Sequence, residues 1–313
     1  MKRLVLFCCL SGCAQVAVSS APAKKSVADV TEATKHAQDA FWSTLHDGRY
    51  DDIGAVLDRL QAAYLQQPND PRTAAHIAFL HIWRISERTR QTSVTATITD
   101  DLMLARRYFE EAVRLAPDDA RFAGFLAATT MSEGKIHHDE KLKRRGFFAM
   151  KDAVAAWPEF NLFTRGYAMS GLPHTDAHYA QALDDQWATL DKCTHSQVDR
   201  RHPSYAPFMA KETREGQERA CWNSWIAPHN FEGFFLNMGD MLVKNGDPAT
   251  AKEIYAQARL AKAYPSWPYR GVLERRIADA NANVARFQTP GSDPEHQIMA
   301  NTSFACMGCH QTR

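Results

Sequence analysis

The chain has 313 residues, of which 45% are hydrophobic and 23% are charged. This composition is sufficient for a sizeable core, in one large domain or two small ones. A formal net charge of +1 excludes a strongly basic nucleic-acid-binding protein. Beyond the N-terminus no apolar run reaches the roughly 18 residues of a membrane-spanning helix.

The N-terminus has the pattern of an export signal. Positive charge at positions 2 and 3 precedes a short apolar segment, an order that predicts a signal peptide over residues 1–12. The tetrapeptide LSGC, which ends at Cys13, resembles the lipobox of bacterial lipoproteins. The resemblance implies that Cys13 carries a lipid and anchors the exported protein to a membrane. The alternative is an ordinary cleavage site with an incidental cysteine.

The residues that follow indicate where the anchored protein would reside. Ala14 rather than an aspartate follows Cys13, which in Gram-negative lipoproteins resembles the pattern of sorting to the outer membrane. We therefore expect the periplasmic face of a membrane, the outer membrane in preference to the inner. Residues 13–27 are small and polar and are predicted to form a flexible tether.

Residues 28–288 are predicted to be a helical domain, because apolar residues recur at spacings of three and four. Small and large residues and a proline recur at steps of four, three and five. The matching sets are Ala105, Phe109, Ala112 and Pro117; Val56, Leu60, Ala63 and Pro68; and Gly146, Met150, Ala153 and Pro158. Small residues let two helices approach, the larger one fills the groove, and proline ends the helix.

These steps resemble the second helix of a tetratricopeptide repeat. The best match spans residues 235–263, where Ala251, Tyr255 and Ala258 repeat the first three positions and Gly246 stands at the turn. The resemblance implies an all-α fold of tetratricopeptide-like stacked helical hairpins, each burying its core against its neighbours. The alternative is an irregular helical bundle.

One segment that interrupts the helical pattern, residues 191–227, is rich in prolines, charges and aromatic residues. It contains Cys193 and Cys221. The other cysteines already have expected roles: Cys13 carries a lipid, the signal-peptide cysteines are removed with that peptide, and the C-terminal motif described below uses two. Cys193 and Cys221 are the two that remain. In an exported protein a remaining pair predicts a disulfide bond that closes this loop. Two buried thiols are the alternative.

The tail, residues 289–313, begins with proline, glycine and serine and is predicted to be irregular. It ends in the pentapeptide CMGCH, which resembles the attachment motif of c-type cytochromes. The resemblance implies one covalent haem c, bound through Cys306 and Cys309, with His310 as the proximal iron ligand. Two alternatives fit less well: a thioredoxin-like dithiol expects a βαβ context, and zinc needs further ligands at matching spacing.

Only three residues follow the motif, so the walls of a haem pocket must come from residues before Cys306 or from a partner protein. Several side chains are candidates for the distal iron ligand: Met299, His296, His202, Met209 and His229. No protein ligand on that side is a further possibility. The aromatic residues of segment 221–240 are expected to be core or a haem wall. Arg200 and Arg201 are expected to be solvated or to pair with haem propionates.

The leading hypothesis is a membrane-anchored periplasmic monohaem cytochrome that transfers single electrons. Its helical array would dock a redox partner protein, since repeat arrays of this kind present protein-binding surfaces. One alternative is a haem enzyme or sensor that binds a small molecule, such as peroxide or nitric oxide, at an open distal site. Another is a scaffold or assembly lipoprotein.

Overall fold

The fold contains helices and turns throughout the part of the chain that can be described. The computed structural model describes residues 14–27, 29–87, 98–289 and 307–312, and these include no strand. The predicted all-α class is therefore confirmed. Among the described helices, none combines the length and the apolar character that a membrane span requires. The signal peptide and Cys13 lie outside the described residues.

The helices follow one another along the chain with short connections. They are α1 (Glu32–His46), α2 (Ile53–Gln66), α3 (Pro71–Ser86), α4 (Ile98–Leu115), α5 (Ala120–Ile136), α6 (Glu140–Ala156), α7 (Pro158–Met169), α8 (Ala177–Thr194), α9 (Arg219–Trp222), α10 (Asn230–Lys244), α11 (Pro248–Gln257), α12 (Arg270–Ala278), α13 (Ala280–Gln288) and α14 (Met307–His310). Short 3₁₀ turns occur at Tyr50–Asp52, Ala206–Phe208, Ala258–Leu260 and Tyr264–Ser266.

Sequence neighbours pack together as helical hairpins. The most extensive packing joins α3 to α4, α5 to α6, α7 to α8 and α10 to α11, which confirms the stacked hairpins predicted from the repeat. The repeat positions lie on the buried faces: Val56, Leu60, Ala63, Ala105, Phe109, Ala112, Gly146, Met150, Ala153, Ala251, Tyr255 and Ala258. At the turn after α10, Gly246 has a φ of 89°, a left-handed conformation that favours glycine.

Aspartates mark where several helices begin. Asp70, Asp119, Asp139 and Asp176 precede α3, α5, α6 and α8, and each side chain accepts a backbone N–H from the first turn. Such caps satisfy donors that have no partner inside the helix. The helix boundaries are therefore fixed by local sequence, while the buried faces decide how the hairpins stack.

The predicted disulfide loop begins inside α8, which continues to Thr194. A disulfide bond joins Cys193 to Cys221, as predicted, with their sulfur atoms 2.00 Å apart. Both cysteines are buried against the Trp222 side chain. The loop contacts the array where the indole Nε1 of Trp157 donates to the carbonyl of Gln217 at 3.0 Å.

The segment predicted as a tether is helical at residues 14–19 and irregular at 22–27. Its side chains at 14–21 are exposed. The second part contacts the array, where Lys24 forms an ion pair with Glu111. The backbone N–H of Val27 donates to the carbonyl of Asn69 at 3.1 Å.

Candidate haem-attachment site

The C-terminal residues dock between the first helix of the array and α10. The short helix α14 contacts both α1 and α10. Met307 is fully buried among apolar side chains of α1 to α3, whereas Cys309 is buried among those of α8 and α10 to α13. The two ends of the array therefore meet at the motif. Cys306, the first cysteine of the motif, lies outside the described residues.

Main-chain hydrogen bonds hold the motif from several directions. The indole Nε1 of Trp267 donates to the carbonyl of Gly308 at 2.9 Å. The backbone N–H of His229 donates to the carbonyl of Cys309 at 3.1 Å. Beyond the motif, the backbone N–H of Thr312 donates to the carbonyl of His46 at 2.7 Å. Satisfied main-chain groups of this kind fix a short segment that has little core of its own.

Gly233 on α10 allows the motif to approach closely. A Cβ atom at this position would lie 2.5 Å from the sulfur of Cys309 and 2.6 Å from the carbonyl oxygen of Gly308. Both distances are far inside van der Waals contact, and the second neighbour is backbone. A side chain at position 233 is therefore incompatible with the docked position of α14.

We expect Gly233→Ala to release the C-terminal segment from the array. Overpacking of this kind typically costs about 1–3 kcal/mol, so amide exchange at Gln311 and Thr312 should become roughly 5- to 150-fold faster. Hydrogen exchange measured by mass spectrometry on the C-terminal peptide tests this. Gly54→Ala is the matched control, because nothing lies within 4 Å of a Cβ there. Equal exchange in the wild type and in Gly233→Ala would contradict the docking.

The His310 ring has an orientation suited to metal ligation. Its Nδ1 lies 2.8 Å from the carbonyl oxygen of Ile226. A carbonyl only accepts, so Nδ1 carries the proton and Nε2 keeps a lone pair. Burial lowers the pKa of His310 below its usual value, which also favours the neutral ring. Metal-bound histidines commonly donate their other nitrogen to a backbone carbonyl, so this residue fits the ligand role.

A cluster of rings lies beside the motif, formed by Trp42, His46 and Trp225. The centroids of the two indoles are 5.0 Å apart. His46 lies 5.6 Å from each of them. Trp225 remains 44% exposed, whereas Trp42 is half-buried. This cluster forms an aromatic surface directly next to the loop that holds His310.

His76 packs on the inner side of this cluster. Its ring stacks on Phe41 with centroids 4.1 Å apart and meets Trp42 edge to face. Burial lowers the pKa of His76 to about 3. The imidazole is therefore neutral in the folded protein under physiological conditions.

We expect the buried His76 to make stability depend on pH. The unfolded chain binds a proton at this residue near pH 6.5, but the folded chain does so only near pH 3. The contribution of neutral His76 to the free energy of unfolding is therefore fully present above pH 6.5 and is lost as the pH falls. The free energy of unfolding should decrease by about 2 kcal/mol between pH 7 and pH 5. Urea unfolding at both pH values should show a smaller loss in His76→Phe. An unchanged loss in that variant would contradict the assignment, and His36→Gln, at an exposed position, is the control.

The distal-ligand candidates fall into three groups. Met299 and His296 lie outside the described residues. His202 is exposed, and Met209 is half-buried against the core cluster that also contains Cys309. His229 is buried and adjacent to Cys309, and its Nδ1 lies 3.0 Å from the Glu232 carboxylate.

The aromatic segment is mostly core, the more favoured of its two expected roles. Phe234 and Phe235 are buried in the core cluster around α10, and Trp222 covers the disulfide. Arg200 makes a bidentate ion pair with Asp191, at 2.6 and 2.8 Å. Arg200 is therefore half-buried in an ion pair, and its pairing with haem propionates stays a prediction. Arg201 is exposed.

Several residues that hold the motif were not identified from sequence. They are Gly233, Trp267, Ile226, Trp42 and His46. Ile226 and Gly308 act through main-chain carbonyls, which carry no sequence signature. A signal was available for Gly233, because glycine inside a helix weakens it and commonly has a packing reason.

The described residues contain no cluster of three or more histidine, cysteine, aspartate or glutamate side chains suited to a metal ion. The described part of the motif contains one imidazole, that of His310, and one buried thiol, that of Cys309. No protein-family model, curated protein or solved structure matches this chain.

Proposed function

We propose that this protein is an exported, lipid-anchored c-type cytochrome that carries one haem and transfers single electrons. Cys306 and Cys309 would hold the haem, and His310 would be its proximal ligand. The observation that carries the proposal is the orientation of His310, whose Nδ1 is bound to the Ile226 carbonyl at 2.8 Å. That contact leaves Nε2 as the nitrogen for iron.

The bound haem would supply an iron that gains and loses one electron reversibly. The residues around the motif support an electron-transfer role, because they hold the ligand rigidly. Main-chain atoms of residues 308–312 are hydrogen-bonded to Trp267, His229 and His46. A ligand held in place by the surrounding residues moves little between redox states. This favours electron transfer over reactions in which the iron ligands must rearrange.

Export and lipid anchoring at Cys13 belong to the same proposal. A covalent haem is attached outside the cytoplasm, and the Cys193–Cys221 disulfide suits an oxidising compartment. The LSGC sequence ending at Cys13 supports attachment to a membrane, with the outer membrane favoured by Ala14. The helical array would dock the redox partner, and a basic stretch on α6, with Lys141, Arg144 and Arg145 exposed, would attract an acidic one.

Absorption spectra of the holoprotein in both redox states, with and without carbon monoxide, test the electron-transfer role. We expect a low-spin, six-coordinate iron whose reduced spectrum carbon monoxide leaves unchanged. A high-spin iron that binds carbon monoxide would contradict that role. It would favour the alternative of a haem enzyme or sensor with an open distal side.

A further inference from the structure

Two imidazole rings converge on the carbonyl oxygen of Ile226. The Nδ1 of His310 lies 2.8 Å from this oxygen, and the Nε2 of His46 lies 3.3 Å from it. A carbonyl oxygen has two lone pairs and no proton, so it accepts from both rings at once. Both nitrogens must therefore carry their protons. The geometry assigns one tautomer to each histidine.

The position of His46 is itself fixed on three sides. Its ring packs against both Trp42 and Trp225, and its centroid lies 5.6 Å from that of each indole. Its own carbonyl accepts from the backbone N–H and the hydroxyl of Thr312, at 2.7 and 3.1 Å. His46, the last residue of α1, therefore contacts the C-terminal segment beyond the motif and also the loop that orients the motif's histidine.

We propose that His46 is a positioning residue that tunes the axial histidine through the shared Ile226 carbonyl. This inference rests on the proposed function, in which His310 binds iron. An acceptor at Nδ1–H makes an imidazole more basic and strengthens it as an iron ligand. A second donor on the same oxygen reduces that acceptor strength. His46 thus limits the electron density that His310 supplies to the iron.

The direction of the effect follows from this competition. Without the His46 donor, the bond from His310 to Ile226 strengthens and the ring gains negative character. A more electron-rich ligand stabilises the ferric state, so the reduction potential falls. An apolar side chain at position 46 also lowers the polarity around the iron. This effect destabilises the more highly charged ferric state and would raise the reduction potential. A lowered potential therefore identifies the hydrogen bond as the cause.

The test compares two substitutions at one position. His46→Phe keeps an aromatic ring against the two indoles but has no donor, whereas His46→Gln places an amide N–H where Nε2 lies. We expect the phenylalanine variant to have a lower reduction potential and a higher iron–histidine stretching frequency in its resonance Raman spectrum. The glutamine variant should restore both toward the wild type. Equal shifts in the two variants, or a raised potential in His46→Phe, would overturn the proposal.

A second measurement does not require haem or a substitution. Burial lowers the pKa of both His46 and His310, so at pH 8 each ring carries a single proton. ¹⁵N shifts in the full mature chain, produced without haem attachment, should show protonated Nε2 at His46 and protonated Nδ1 at His310. The opposite tautomer at His46 would overturn the proposal even if haem binds. Absence of a Soret band in the holoprotein preparation would instead remove the proposed function.

Discussion

The His310→Ala variant is expected to lose the low-spin spectrum of the holoprotein almost completely. The Nε2 of His310 is the nitrogen that the Ile226 contact leaves for iron. An alanine supplies no donor on the proximal side, and the weak-field iron that results should be high-spin. Added imidazole should restore the low-spin spectrum, because the substitution leaves a space shaped for that ring. Absorption spectra of the ferric and ferrous states measure the loss and the recovery.

His202→Ala is the control for this experiment. His202 is a candidate ligand by sequence but is exposed in the disulfide loop, so its replacement should leave the spectrum unchanged. A low-spin spectrum in His310→Ala that matches the wild type would show that another residue is the proximal ligand. The motif would then have to be reassigned.

Reduction of the Cys193–Cys221 disulfide is expected to lower the free energy of unfolding by roughly 3–4 kcal/mol. The bond closes a loop with a sequence separation of 28 residues, and the chain-entropy model gives a stabilisation of that size. The same loop ends at the segment that orients the motif, since Ile226 lies five residues beyond Cys221. We therefore expect faster amide exchange at Thr312 as well.

Urea unfolding with and without reductant isolates the cross-link, because reduced thiols occupy nearly the same volume as the disulfide. In the Cys193→Ala/Cys221→Ala double variant, the reductant should have no effect on stability. A residual effect there would show that the reductant acts on something other than this disulfide. Two alkylated thiols in the unreduced, denatured wild type, beyond those of the motif, would contradict the disulfide.

Much of the fold was predictable from local sequence. The steps joining Ala105, Phe109 and Ala112 identified the buried face of α4, because small residues at helical spacing allow close packing. Gly246 marked a turn that requires a positive φ. Cys193 and Cys221 were paired by elimination, since exported cysteines without another role form disulfides.

The surroundings of the motif were not predictable in the same way. His46 and His310 share an acceptor although they are 264 residues apart in sequence. The acceptor is a backbone carbonyl, which every residue possesses. Trp225 was identified as a candidate wall, but its neighbour Trp42 belongs to the first helix of the array. Only the path of the whole array brings these residues together.

This arrangement explains how a motif so near the C-terminus can have a defined environment. Met307 contributes to the apolar cluster of the first three helices, and Cys309 to the cluster around α10. The apolar surroundings of the described part of the motif come from helices that lie far earlier in the chain.

Haem attachment is the central claim, and the mass of the mature protein tests it most directly. The protein should be produced in a host competent for cytochrome maturation and then denatured, so that only covalent groups remain. We predict the added mass of one haem, with a Soret band, and the loss of both in the Cys306→Ala/Cys309→Ala variant. A wild-type chain without that mass and without a Soret band would contradict the account.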